Sequence, residues 1–397
     1  MIDSQLREAV RLAGTPCYVF DARELRHRVA FLREHLPSEI GLCYAMKANP
    51  FLLKEISPLV DRIEICSPGE LTIAGKLEIP LKQYVVSGVN KDPERMQSMV
   101  SAGTGEEIYT VESMRQLSIL LQAAQRERKR CSVLLRLTSG NQFGMREDEV
   151  EYILCCYQKD PWLCIRGIQY FSGTQKRSLS RLQRELEYLD GFLARMGMLY
   201  GPLRELEFGP GLPVAYFLGE EQDELGYLAM FSALLRGMRF PGEITLELGR
   251  SLVADCGYYL TRVSDLKKNG GQNYAIVDGG IHQIVYYGQS MAMRHPPVRF
   301  LPPHLPGQVK EWNIFGSLCT TNDVLVKRLP LEGLRLGDVL VFEKAGAYSV
   351  TEGIALFLSR ELPAVVLIRE DGTPVCVRGI TPTDPLNTPE YQIIKQK

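Results

Sequence analysis

Between about residues 40 and 250, one pattern recurs eight times: a short apolar run ending in a small or polar residue, then an amphipathic stretch. The runs are GLCYAMK (41–47), RIEICS (62–67), QYVVSG (83–88), EIYTVE (107–112), CSVLLRLT (131–138), CIRGIQYFS (164–172), ELEFGPG (205–211) and EITLELG (243–249). Continuous apolar runs suit strands buried on both faces, as in a parallel sheet, whereas a sheet with one wet face alternates. The segments between them carry helical spacing. In 113–130, Met114, Leu117, Leu120 and Leu121 fall on one stripe, and the basic tail suits a helix C-terminus. Eight strand–helix units in this length predict an α/β fold, a (β/α)8 (TIM) barrel. An open doubly wound sheet would usually show a GxGxxG turn after its first strand, and none is present.

The pattern changes after residue 255. GYYLTRVSDL, QNYAIVDGG, WNIFGSL, DVLVKRLPL, GDVLVFEKAG and AVVLIREDGTPVCVRG read as strands, with Asn269-Gly270 and Asp371-Gly372 as hairpin turns. This predicts a separate antiparallel β domain. TPCYVFD (15–21) reads as a strand ahead of the barrel, and Asp21 as the cap of the helix that follows. The expected division is a barrel over 24–255 and a β domain made of 1–23 plus 256–397.

With 46 basic and 47 acidic residues, the chain lacks the positive excess of a nucleic-acid binder. No stretch has the length and apolarity of a signal peptide or a membrane span. Ten cysteines show neither CxxC nor His-x-x-x-His spacing, so no metal site is expected, and their place in apolar runs suits a reducing, cytoplasmic compartment.

In such a barrel, function sits at the C-terminal ends of the strands. The first run ends in Lys47. An ammonium at the end of a buried strand is costly to desolvate, so it either snorkels to the rim or serves as a covalent handle for a carbonyl cofactor. The seventh run ends in Gly209-Pro210-Gly211, either a plain turn or a loop whose N–H groups approach an anion. The eighth ends in Glu247-Leu248-Gly249-Arg250. Glu247, flanked by leucines, needs a cationic partner, which Arg250 or a protonated cofactor nitrogen would supply. Arg136 ends the fifth run. Phe171 and Thr174 follow the sixth, where one would cover a planar ring and the other donate to a phosphate, or both would merely pack and cap. In the β domain, Cys319 lies in the polar loop SLCTTND, as a candidate acid or a structural thiol.

Read in order, YAMKAN, SPGEL, Phe143-Gly144, the GTQ turn, GPG, ELGR, LCTTND and GAY resemble the fold-type III pyridoxal-phosphate decarboxylases, the group IV family of diaminopimelate, ornithine and arginine decarboxylases. The likeness spans essentially the whole chain. It implies an alanine-racemase/ornithine-decarboxylase-like architecture, a pyridoxal 5'-phosphate cofactor and α-decarboxylation of an amino acid. It assigns Lys47 as the cofactor lysine and Glu247 as the partner of the ring nitrogen. Gly209, Gly211, Leu248, Gly249, Arg250, Thr174 and Tyr348 would surround the phosphate. Glu64, Arg136 and Phe171 would lie around the ring, and Cys319 would be the acid that returns a proton to Cα. It also implies a homodimer whose sites each take the Cys319 loop from the partner chain.

The chain departs from the family at several positions. Phe171 stands where the family stacks a histidine, and Gln169 replaces an earlier one. Thr320 follows Cys319 where relatives carry an acidic residue for a distal ammonium. Tyr286 and Tyr287 occupy the place of a substrate-carboxylate arginine, leaving Arg294 as the nearest substitute. The loop Thr138–Gln142 is short. These features bring the chain nearest to specialised-metabolism decarboxylases, with a diamino acid or a conjugated or carrier-bound amino acid as substrate. Arg294, Thr320 and Asp323 are the candidate substrate residues. Two competing readings are an amino-acid racemase, which would pair the ring nitrogen with arginine, and a catalytically inactive regulator.

Overall fold

The computed structural model describes residues 2–303 and 307–390. It divides into two compact units, one of residues 26–214 and 222–252, the other of 1–25, 215–221 and 253–397.

Strand β1 (Cys17–Asp21) belongs to the second unit. In the first, β2 (Gly41–Ala45), β3 (Arg62–Ile65), β4 (Tyr84–Val86), β5 (Ile108–Val111), β6 (Cys131–Leu137), β7 (Leu163–Phe171), β8 (Glu205–Gly209) and β9 (Glu243–Leu248) form a closed barrel. Each strand runs parallel to the next, and β9 pairs back with β2. The eight apolar runs are these eight strands. Their continuous apolarity reflects burial on both faces, complete in β4, β5 and β8.

The helices begin where the sequence supplies caps. Ser67, Asp92, Ser113, Ser178 and Asp223 each accept a backbone N–H at the start of the helices Pro68–Lys76, Pro93–Ala102, Met114–Glu127, Leu179–Tyr200 and Glu224–Arg236. Within Met114–Glu127 the buried stripe is Leu117, Leu120 and Ala124. Such caps let each turn leave a strand end and enter a helix without orphaned donors, which keeps the C-terminal rim compact.

The second unit holds β1 and β10 (Gly257–Asn269), β11 (Gln272–Val277), β12 (Val298–Leu301), β13 (Val309–Phe315), β14 (Val324–Glu332), β15 (Val339–Phe342), β16 (Ala364–Ile368) and β17 (Pro374–Arg378). Its sheet runs β14-β13-β11-β10-β1-β16-β17, with β15 bridging β10 and β12. Most pairings are antiparallel, including the two hairpins expected at Asn269 and Asp371. Two are parallel, β1 with β16 and β11 with β13, which makes the sheet mixed. The helix Ile2–Ala13 lays Leu6 and Ala9 on a core of Val19, Leu260, Val341 and Val366. Among the described residues, no helix is long and apolar enough to cross a membrane.

Gly167 sets how closely β7 and β8 approach. It pairs with Glu205, and a Cβ there would run into the Glu205 backbone. Gly167→Ala is therefore expected to lower stability by about 1–3 kcal/mol, the usual range for overpacking. Urea unfolding measures it, and an unchanged midpoint would mean the strands part at no cost.

Candidate active site

Beyond β2 the chain makes a single 3-10 turn, Met46–Ala48, that carries Lys47 onto the C-terminal rim. Two carboxylates from neighbouring strands meet it. Lys47 Nζ lies 2.5 Å from Glu64 Oε2, on β3, and 3.4 Å from Glu247 Oε1, on β9. Cys66 Sγ is 3.8 Å away. Both carboxylates are buried, while the lysine side chain is 41% exposed. The ammonium is thus held at the mouth of the barrel instead of extending into water.

The two carboxyls respond oppositely to one setting. Burial would raise Glu64, but the Lys47 ammonium and its hydrogen bond hold it well below the usual carboxylate range. Burial and the adjacent Glu64 charge push Glu247 well above it, against the pull of Lys47. The opposed shifts have one electrostatic cause: two like charges in a dry site cannot both ionise cheaply.

A third carboxyl lies in the same interior, and the sequence reading passed over it. Glu207 on β8 is fully buried and accepts a hydrogen bond from Gln169 Nε2 at 2.7 Å. Its other oxygen has no hydrogen-bond partner, with Arg62 Nη1 4.0 Å away. Burial pushes Glu207 up to about 7, with Arg62 opposing and Glu64 adding to the rise. Arg62 is itself engaged by Glu205, which also takes Arg166. The alternation of Glu205 and Glu207 in one strand was the available signal, because strand residues two apart share a face.

Around this centre, Arg136 reaches Glu112 at 3.3 Å and lies 4.8 Å from the centroid of the Phe143 ring. Glu112 also receives the Gly144 N–H, so the short 138–144 loop is tied to the rim. The Phe171 ring at the end of β7 abuts Gly209, where any Cβ would collide with it. Gly211 has φ +61, and a Cβ there would strike the Gly173 carbonyl and crowd Thr174. Leu248 is buried and ends β9, and Gly249 and Arg250 turn from it into the short helix Arg250–Val253. Lys47, Glu64, Arg136, Phe171, Thr174, Gly209, Gly211, Glu247, Leu248, Gly249 and Arg250 therefore all belong to the C-terminal side of one barrel.

Cys319, Thr320, Asp323, Arg294 and Tyr348 belong to the second unit. Cys319 is exposed, in the loop between β13 and β14. Thr320 accepts the Asn322 N–H through its hydroxyl. The buried carboxylate of Asp323 accepts backbone N–H groups from Ile281 and Leu318, which braces the Cys319 loop. Arg294 pairs with Glu220 and lies 4.1 Å from the Phe217 ring centroid. Tyr348 takes φ +66 in the GAY turn, and its carbonyl accepts the N–H groups of Thr351 and Glu352. Among the described residues no cluster of His, Cys, Asp or Glu is arranged to hold a metal ion.

Comparison with known proteins gives concordant matches. The family described as "Pyridoxal-dependent decarboxylase, C-terminal sheet domain" matches residues 17–346. The chain is 29% identical to 2-[(L-alanin-3-ylcarbamoyl)methyl]-2-hydroxybutanedioate decarboxylase of Staphylococcus aureus, over 89% of this chain and 94% of that protein. It is 25% identical to L-glutamyl-[BtrI acyl-carrier protein] decarboxylase of Niallia circulans, over 93% and 92%. The fold matches the crystal structure of diaminopimelate decarboxylase from Helicobacter pylori complexed with L-lysine, with a TM-score of 0.82, 22% identity, and 96% and 98% coverage.

The Glu207 proton makes a measurable prediction. A carboxyl raised from 4.5 to about 7 by folding stabilises fully below 4.5, and that contribution is lost as pH rises through 7. Glu207→Gln removes the titration, so the variant should gain on wild type by on the order of 2–3 kcal/mol between pH 4.5 and 8. Denaturant unfolding across that range tests it. A stability difference that does not change with pH would mean Glu207 ionises as an ordinary glutamate.

Proposed function

The chain belongs to the pyridoxal-dependent decarboxylase family, and from that premise we propose that it removes the α-carboxyl group of an amino acid carried on a larger conjugate or carrier. Pyridoxal-phosphate-dependent decarboxylation of an amino-acid substrate is the activity of its family. The observation that carries the site reading is the grip of Glu64 and Glu247 on Lys47. When bound, pyridoxal phosphate supplies a carbonyl that condenses with amines and an electron-poor ring that takes up the pair released from a breaking Cα bond.

The residues fit that group. Lys47 would offer the amine, and Glu64 and Glu247 would hold its nitrogen in place. Glu247, raised by burial, suits a cationic ring nitrogen as its partner. An arginine there would suit a racemase, so Glu247 favours decarboxylation. Phe171 presents an apolar face to a planar ring but can neither donate a proton nor accept one, which leaves proton return to another group. Cys319 is our candidate for that acid, and the Gly209–Gly211 loop with Thr174, Arg250 and Tyr348 our candidate for the phosphate.

The substrate reading rests on Thr320 and on the relatives. Thr320 is uncharged and offers no counter-ion to a distal ammonium, which disfavours free diaminopimelate or ornithine. The two relatives named above act, by their names, on a conjugated alanine and on a carrier-linked glutamate. The fuller reading is a cytoplasmic homodimer with shared sites, and its ten free thiols suit a reducing compartment.

CO2 release should be measured across free diamino acids, amide-conjugated diaminopropionates and glutamyl thioesters of a carrier protein. Release from a conjugate, abolished in Lys47→Ala, is the expected result. Release from free diamino acids alone would overturn the substrate reading, and no release from any, with no cofactor absorbance band, would favour the inactive regulator. Sharing of sites has its own test. Mixed Lys47→Ala and Cys319→Ala subunits should regain about a quarter of wild-type sites under random exchange. No recovery despite proven exchange would mean that each chain builds its own.

A further inference from the structure

The loop after β7 and the loop after β8 are fastened to each other by an unusual set of bonds. Gln175 takes φ +55, in the left-handed region that side chains seldom adopt. Its amide nitrogen donates to the Val214 carbonyl at 3.0 Å, and its amide oxygen accepts the Val214 N–H at 2.7 Å. The next residue, Lys176, donates its backbone N–H to the Gly211 carbonyl at 2.8 Å. Its side chain is buried to 1% exposure, with Nζ 2.7 Å from Glu185 Oε2 and 3.4 Å from the Gly209 carbonyl. The Tyr227 hydroxyl closes the set by donating to the Lys176 carbonyl at 2.6 Å.

A buried lysine and a left-handed glutamine are both costly, and such features persist where the surroundings over-determine them. Leucine or methionine would fill the same space at position 176 without a desolvation cost. What a lysine adds is a donor that reaches the backbone of the facing loop, and a charge. Glu185 also accepts from Ser172 Oγ at 2.6 Å and from Arg181 Nε at 3.1 Å. Two cations, Lys176 and Arg181, thus meet one carboxylate, and Arg181 Nη2 also donates to the Ser172 carbonyl at 2.9 Å. Gly209, Gly211 and Thr174, which we assign to the phosphate, are the residues that these bonds hold in place.

We propose that Gln175 and Lys176 are positioning residues that lock the two loops into one preformed phosphate cradle without touching the cofactor. The proposal rests on the phosphate assignment made above. A rigid cradle keeps backbone donors aimed at one point, so that binding need not order them. Residues of this kind should act only on ligands that carry the phosphate.

The test compares pyridoxal phosphate with pyridoxal, titrated by absorbance into apo forms of the full-length wild type, Lys176→Met, Lys176→Arg and Gln175→Ala. Wild type should bind the phosphorylated form far more tightly. Lys176→Met and Gln175→Ala should each lose about tenfold or more in pyridoxal-phosphate affinity, the worth of one or two hydrogen bonds. Their pyridoxal affinity should not change, and Lys176→Arg should recover part of the loss. Equal losses for both ligands would overturn the proposal, since that is what general weakening of the barrel produces. Unchanged pyridoxal-phosphate affinity in both variants would overturn it too. If Lys176→Met does not fold, Gln175→Ala decides alone, because among the described residues its half-buried side chain bonds only to Val214. Failure of the phosphate assignment looks different: wild type itself would then bind pyridoxal as tightly as pyridoxal phosphate.

Discussion

Charge in a dry barrel is the constraint on which the rest of this molecule depends. Water cannot screen the interior, so every ionised group there needs a partner at short range or must give up its charge. The barrel meets this in tiers. Towards its N-terminal end, Arg62 and Arg166 share Glu205. In the middle, Glu207 is pushed up by burial and leans on Gln169. At the C-terminal rim, Lys47 sits between Glu64 and Glu247. Adding or removing one charge in a tier shifts the proton affinity of the others, since Glu64 contributes to the rise of both Glu207 and Glu247. Lys47 is thus the uppermost charge of a stacked column.

Much of this was legible in the residues. Eight apolar runs became eight strands because parallel strands buried on both faces leave no room for alternation. Lys47 and Glu247 stood out for the same reason, as charges set in apolar strands, whereas Glu64 came only from the family resemblance. Glu207 did not, because beside Glu205 it resembled the polar half of an alternating strand, and only closure of the barrel turns both inward. Asp323, near Cys319, read as a substrate contact, and folding also brings the Ile281 N–H to its carboxylate from another segment. No local pattern encodes that meeting. The parallel pairing of β1 with β16 escaped for the same cause, being a contact between opposite ends of the chain.

The replacement of histidine by Phe171 gains meaning from Gly209. The phenyl ring lies where a Cβ on Gly209 would sit, so the end of β7 and the end of β8 touch through an aromatic face and a bare backbone. A ring with no polar atoms makes that contact without needing a hydrogen-bond partner. It also places no titratable group at that contact.

The place of β1 bears on how the chain is made. It lies at the centre of the second unit's sheet, paired with β10 on one side and β16 on the other. A ribosome therefore delivers this interior strand ahead of the barrel, and its two neighbours only after the whole barrel has been synthesised. The barrel strands follow one another in order and find their partners locally, so the barrel can close during translation. Until Ala364 to Ile368 emerge, β1 carries an unpaired edge of buried-type residues, Cys17, Tyr18, Val19 and Phe20. A strand made before the barrel is thus completed only after it, and it is there that a chaperone would have most to shield.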